Sequence, residues 1–232
     1  MPSIHPAPDV ITRILLMCRM LSKSALVGLV LLTPLVACQQ IGPPPIVDYH
    51  QSGSTETALA KVAVAPFSIG GQLARVGSGS LPADAKALVE RMVAEEIAAQ
   101  GIDVIPAGDV RTALSARGHQ GPVTDPITMA EIVVAKFGAS AVLMGEVTRF
   151  RERGAEATNP PDPAIVGFKV SLHATPGGAR LWRAEFSERQ VALSEAPGRA
   201  RRYPGRGSRW LTAAQLARFG ARAMAEALAE SR

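Results

Sequence analysis

The chain has 232 residues, of which 47% are apolar, 19% charged and 4% aromatic, and it carries a formal charge of +5. That composition can bury a core, and it excludes a collagen-like chain, a polytopic membrane protein and a cysteine-rich secreted module. Two cysteines and four histidines give no zinc-ligand spacing, so no metal and no cofactor is expected.

The N-terminus reads as an address. Residues 1–19 look like an upstream extension, and Cys18 within them is given no role. Met20 opens a secretory signal, with Lys23 as its basic region and residues 25–36 almost wholly apolar. Gly28, Thr33 and Pro34 interrupt that run, which is too short and broken to span a bilayer, where about 20 apolar residues are needed. The signal ends Leu35-Val36-Ala37-Cys38, which resembles the bacterial lipobox. The resemblance implies cleavage after Ala37, with Cys38 lipidated as the mature first residue. Two or more acyl chains anchor stably, where one alone binds marginally. A cleaved signal with an incidental Cys38, or an uncleaved anchor, are the other readings of the same residues. Gln39 stands where Asp marks inner-membrane retention in such lipoproteins, so the expected place is the outer membrane, periplasmic face. Removal of 37 residues leaves 195, with 22 basic and 19 acidic side chains and a net charge of +3. That excess does not point to a nucleic-acid partner.

Residues 39–58 read as a tether, polyproline at Gly42-Pro43-Pro44-Pro45 and then Ser- and Gly-rich. The expected division is therefore an extension and signal over 1–37, a lipidated N-terminus and tether over 38–58, and a periplasmic domain over 59–232. In that domain, Lys61 to Phe67 is a short β-branched strand ended by proline. A glycine-rich loop follows, and Ser80 and Pro82 suit the start of a helix. Ala85, Leu88, Val89, Met92, Val93, Glu96 and Ile97 make its inner stripe, with Glu96 the one polar intruder. Residues 102–105 form a second strand. Asp109 is placed to cap a short helix, and the capping-box spacing Thr128-x-x-Glu131 to open another that ends at Gly138.

Residues 139–150 are a strand apolar enough to be buried on both faces. From Ile165 to Thr175 the pattern alternates, with Phe168, Val170 and Leu172 on one face and Lys169, Ser171 and His173 on the other. A Pro176-Gly177-Gly178 turn leads to a partner strand in which Trp182, Ala184 and Phe186 face inward. Leu216, Phe219, Ala223, Met224, Ala227 and Leu228 stripe a last helix. The order β-α-β-α-α-β-β-β-α predicts a single-domain α/β sandwich with a mixed sheet.

No catalytic constellation is expected. The glycine loop lacks a following Gly-Lys-Ser/Thr, and neither a Gly-x-Ser-x-Gly elbow nor a His-Glu-x-x-His occurs. Glu95, Glu96, Glu185 and Glu188 read as solvated charges. The most unusual surface feature is basic: Arg199, Arg201, Arg202, Arg206 and Arg209 stand with Tyr203 and Trp210 in 12 residues. Arginine with aromatics is the composition of binding hot spots. Arg201, Arg202, Tyr203 and Arg206 are the candidate partner-binding residues, for an acidic protein or for anionic lipid or glycan. Trp210 is set apart as a core residue at the start of the last helix. The other reading is a solvated loop.

The strand Lys61-Val62-Ala63-Val64-Ala65-Pro66-Phe67, the strand after Gly101 and the segment Phe137-Gly138-Ala139 to Val147 resemble a family of bacterial lipoproteins. It includes the curli secretion lipoprotein CsgG, the penicillin-binding-protein activator LpoB and the N-terminal domain of TolB. Gly178 to Ala184, containing Leu181-Trp182, resembles a strand of its less characterised members. The resemblance runs from about residue 61 to 228. It implies an α/β domain at the outer membrane that binds envelope proteins without catalysis. The expected function is thus a non-enzymatic lipoprotein that binds or helps assemble another envelope component. The alternative is a subunit of an oligomeric secretion or transport assembly. The absence of spare amphipathic hairpins speaks against a pore, and the short tether against direct synthase activation.

Overall fold

In the computed structural model, residues 46–50, 55–70, 84–121, 123–154 and 162–231 are described. They all fall in one unit, Pro43–Arg232. A seven-stranded mixed sheet runs in the order β1 (Ile46–His50), β7 (Arg180–Arg189), β6 (Ile165–Ala174), β5 (Ala141–Arg151), β2 (Lys61–Val64) and β4 (Asp103–Ile105). The two-residue β3 (Ser68–Ile69) extends β2 along β5. β2 is parallel to both β4 and β5, while β5, β6, β7 and β1 pair antiparallel. Helices α2 (Ala85–Ala99) and α6 (Ala213–Glu230) cover one face. On the other, α3 (Ala107–Ala116) and α4 (Pro126–Phe137) pack on β2 and β5. A single turn, α1 (Thr55–Ala58), precedes β2, and α5 (Pro197–Ala200) with a 3-10 turn (Pro204–Gly207) lies between β7 and α6. The α/β class and mixed sheet agree with the pattern of the sequence.

Side-chain parity divides the interior. Val62, Val64, Ala141 and Leu143 enter the core under α2 and α6, joined by Phe168, Val170, Leu172, Trp182 and Phe186. Ala63, Ala65 and Val142 enter a second core, with Val110, Leu114, Met129 and Val133 from α3 and α4. Successive strand residues point to opposite faces, so a strand serving both cores must be continuously apolar. Two glycines set close approaches. A Cβ on Gly145 would lie 2.3 Å from the Phe67 ring, and one on Gly220 would lie 2.5 Å from the Phe186 ring.

Several expectations are corrected. Residues 46–50, expected in the tether, form an edge strand that pairs with β7, and residues 55–58 are helical. Ile46, Val47 and Tyr49 are strand formers, and β7 offers them an open edge. Helix α4 starts at Pro126, not at Thr128: Asp125 is the cap and accepts from Thr128 N at 2.9 Å. The hydrogen bonds from Thr128 lower the Asp125 pKa. Helix α3 is entered through Pro106, with Asp109 in its first turn. Ser80 and Pro82 lie outside the described residues.

Candidate functional site

Three buried carboxylates, all legible only as charges in the sequence, are tied into the fold. Glu96, the polar intruder, faces inward with its stripe. It is buried and accepts from Arg218 Nη1 at 3.1 Å and Arg222 Nε at 3.2 Å, joining α2 to α6. Arg218 also reaches Glu95 at 2.7 Å, and that bond first, then Glu96, raises the guanidinium pKa. Glu90 is buried as well. It accepts the Phe67 N–H at 2.9 Å and pairs with Arg111 at 3.0 Å. Glu188 lies on the inner face of β7, pairs with Arg199 at 2.8 Å and accepts the Tyr203 hydroxyl. The expectation that Glu96 and Glu188 are solvated is therefore overturned: each sits where a helix or turn delivers arginine, which offsets the desolvation of the carboxylate.

The basic segment is partly built into the same cluster. Tyr203, expected on the surface, is 2% exposed, and its ring meets Phe219 edge-on at 5.7 Å. Burial, and then the bond to Glu188, push its pKa up. Arg199 is raised by its hydrogen bond to Glu188. Trp210, expected in the core, is instead half-buried at the rim of a cavity of about 480 Å³ with Val191, Leu193 and Arg209. The two aromatics exchange their expected places because Glu188 gives the phenol a buried acceptor. The Trp210 backbone is meanwhile held outward by Gln190, which donates to Arg209 O at 3.0 Å and accepts from Leu211 N at 2.7 Å.

Of the remaining candidates, Arg201 and Arg206 are exposed, and Arg202 is half-buried with its Nε at 3.5 Å from Arg199 O. Arg206 has φ 57°, between Gly205 and Gly207, both also at positive φ. A Cβ on Gly207 would lie 2.5 Å from Ala200 O, so the turn folds tightly back on α5. Leu35, Val36, Ala37 and Cys38 lie outside the described residues.

A second surface was signalled only by the alternation of β6. Lys169, Ser171 and His173 point away from the α2/α6 core and line a groove of about 330 Å³ with Glu146, Arg180 and Arg183. Glu146, Lys169 and Glu185 are opposite one another across β5, β6 and β7, and Lys169 pairs with Glu185 at 3.8 Å. Both ring nitrogens of His173 are engaged, with Gly178 O and Ser171 Oγ, each at 2.9 Å. Among the described residues, no group of three His, Cys, Asp or Glu could hold a metal ion. Nor is any helix there long and apolar enough to cross a membrane.

No protein-family model and no curated sequence matches the chain. Solved structures with a similar chain path include the PelC dodecamer of Paraburkholderia phytofirmans, at 22% identity over 66% of this chain and 91% of that one, TM-score 0.40. Lipoprotein GNA1162 of Neisseria meningitidis matches at 19% identity over 56% and 83%, TM-score 0.42. The LpoB C-terminal domain of Salmonella enterica matches at 16% identity over 58% and 85%, TM-score 0.38. At that level of likeness they lend nothing to a functional argument. The class defined by the chain itself is a mixed α/β sandwich with a basic segment at one end and a polar groove on one sheet face.

Proposed function

We propose that the chain is a lipid-anchored, non-enzymatic lipoprotein on the periplasmic face of the outer membrane that binds or helps assemble another envelope component. One observation carries this reading: the lipobox cysteine, Cys38, stands only eight residues before Ile46, where the sheet begins. The signal thus delivers a folded domain directly to a bilayer surface, which raises its effective concentration for partners there. The engagement of Glu90, Glu96, Glu188 and His173 in the fold supports a binding role, because each buried titratable group already has structural partners. The groove beside Lys169 and Arg183 supplies a polar face for a partner.

Mass measurement of the mature protein is the test. The expected product begins at Cys38 and carries acyl chains, and Cys38→Ala leaves an unprocessed precursor. A mature N-terminus elsewhere overturns the reading. Photo-crosslinking from position 171 in intact cells should capture an envelope component, whereas capture of further copies of the chain in a ring would favour the oligomeric alternative.

A further inference from the structure

We infer that the arginine-rich end of the sheet docks on anionic phospholipid headgroups of the membrane that holds Cys38; the inference rests on the lipidation reading above. The topology gives the reason. Ile46, the first residue of β1, pairs with Phe186 near the end of β7. At that same end Arg189 pairs with Ile165, which in turn pairs with Arg151. The chain leaving β7 then forms the segment that bears Arg201, Arg206 and Arg209, and Gln190 ties this segment back to the strand end. The connection from the lipidated residue therefore enters the fold beside the arginines.

Chain length turns this neighbourhood into an orientation. Cys38 and Ile46 are eight residue steps apart, so the fully extended reach is about 28 Å. Strand β7 has ten residues, so the far end of the sheet lies about 30 Å beyond the arginine end. The arginine end is within reach of the headgroups at any extension of the connection, whereas standing the sheet on its far end would need the connection almost fully stretched.

The surface suits a negatively charged, planar partner. Arg189, Arg201, Arg206 and Arg209 are exposed, and of the acidic side chains nearby, Glu188 is buried against Arg199, Asp162 faces Arg151 at 3.7 Å, and the exposed Glu152 accepts from Ala213 N at 3.0 Å. Glu195 is the exposed carboxylate in the segment itself. Leu193, at 40% exposure, and the half-buried Trp210 stand among these cations. An apolar side chain and an indole ringed by arginine fit the headgroup layer, where aromatic rings sit between polar and apolar zones and anionic lipid attracts basic residues. A second membrane contact would also leave the groove beside Lys169 for a partner.

The lipoprotein in vesicles of phosphatidylethanolamine and phosphatidylglycerol tests this. Cys38 is acylated in the mature form and Cys18 is removed, so a fluorophore can be placed on Ser194→Cys at the arginine end or on Lys136→Cys at the far end. Quenching by a headgroup-labelled lipid should be about twofold stronger or more from position 194, given the ~30 Å between the ends. Replacing Arg201, Arg206 and Arg209 by Ser, omitting phosphatidylglycerol, or raising the salt should each bring it toward the far-end value. Equal quenching at both ends, or no response to the arginine replacements, overturns the proposal. Arginine variants that keep their quenching but lose a crosslinked protein would assign the segment to a protein partner and overturn it too. Failure of the lipidation reading looks different: the protein does not float with the vesicles, and its mass shows no acyl chain.

Discussion

The parallel half of the sheet, β4-β2-β5, carries helices on both faces, whereas the antiparallel half, β6-β7-β1, packs on α6 with one face and turns the other outward. In the first half every residue of Val62 to Ala65 is buried, and consecutive residues feed different cores. In the second, buried Phe168, Val170 and Leu172 alternate with Lys169, Ser171 and His173; Lys169 and Ser171 are half-buried along the groove, while His173, expected on an open polar face, is buried at its wall against Gly178 O. Stability in that half depends mainly on the α6 interface, while its other face meets α4 only near the β6–β7 turn, where His173 is buried. The difference teaches where to look for binding: on the face with the lighter structural duty.

The strongest way to break this contrast is Phe168→Ala. Phe168 is fully buried against Phe186, with ring centroids 5.3 Å apart, so its loss should cost about 3–5 kcal/mol in urea denaturation. A loss below about 1 kcal/mol would mean that the antiparallel half does not rely on its single core. Gly220→Ala tests the same interface from the helix side. Its Cβ would press on the buried Phe186 ring, and overpacking should cost about 1–3 kcal/mol. An unchanged midpoint would show that α6 sits further from β7 than the structure has it.

Tyr203→Phe should cost about 1–2 kcal/mol, because it removes one partner of a buried carboxylate. It should also change the alkaline behaviour. The folded pKa of Tyr203 is raised above its ordinary value of 10.0, so the native state keeps a proton that the unfolded chain releases. The stability from this group is complete below pH 10 and is lost as pH rises beyond it. The variant should lose less stability than the parent above that pH, and identical slopes would remove Tyr203 from the Glu188 cluster.

Smaller effects come from exposed positions. Arg206→Gly relieves a left-handed conformation that costs a side-chain residue about 1–2 kcal/mol but adds unfolded-state entropy, for a net gain of about 0.5 kcal/mol. A loss in thermal midpoint would contradict the strained turn. Lys169→Ala, on the groove face, should change stability by less than about 1 kcal/mol, since its pairing with Glu185 at 3.8 Å is long and half-exposed. A cost above about 1 kcal/mol would make the Lys169–Glu185 pair a structural contact.

Periodicity made the β6–β7 hairpin and the stripe of α6 legible, because burial on one face leaves a repeat in the chain itself. It was silent on Glu90, whose value lies in reaching the Phe67 N–H and Arg111, neither of which is a neighbour in the chain. The basic segment was legible as composition but not in its parts. Tyr203 and Trp210 are both large aromatics near arginine, and local pattern cannot say which one finds a buried acceptor. Glu188 decides it, 15 residues away in the chain.

By itself, the sequence determined the α/β class and the inward residues of the long strands, and it carries the motif at Cys38 that resembles a lipobox. These follow from local rules: alternation, helical spacing and a contiguous motif. Tertiary structure decided that residues 46–50 close the sheet beside β7, that the arginine segment lies at the end where the chain enters, and that one sheet face stays outward. Strand pairing, buried ion pairs and the meeting of distant segments depend on what the rest of the chain brings alongside, and no window of sequence contains both partners.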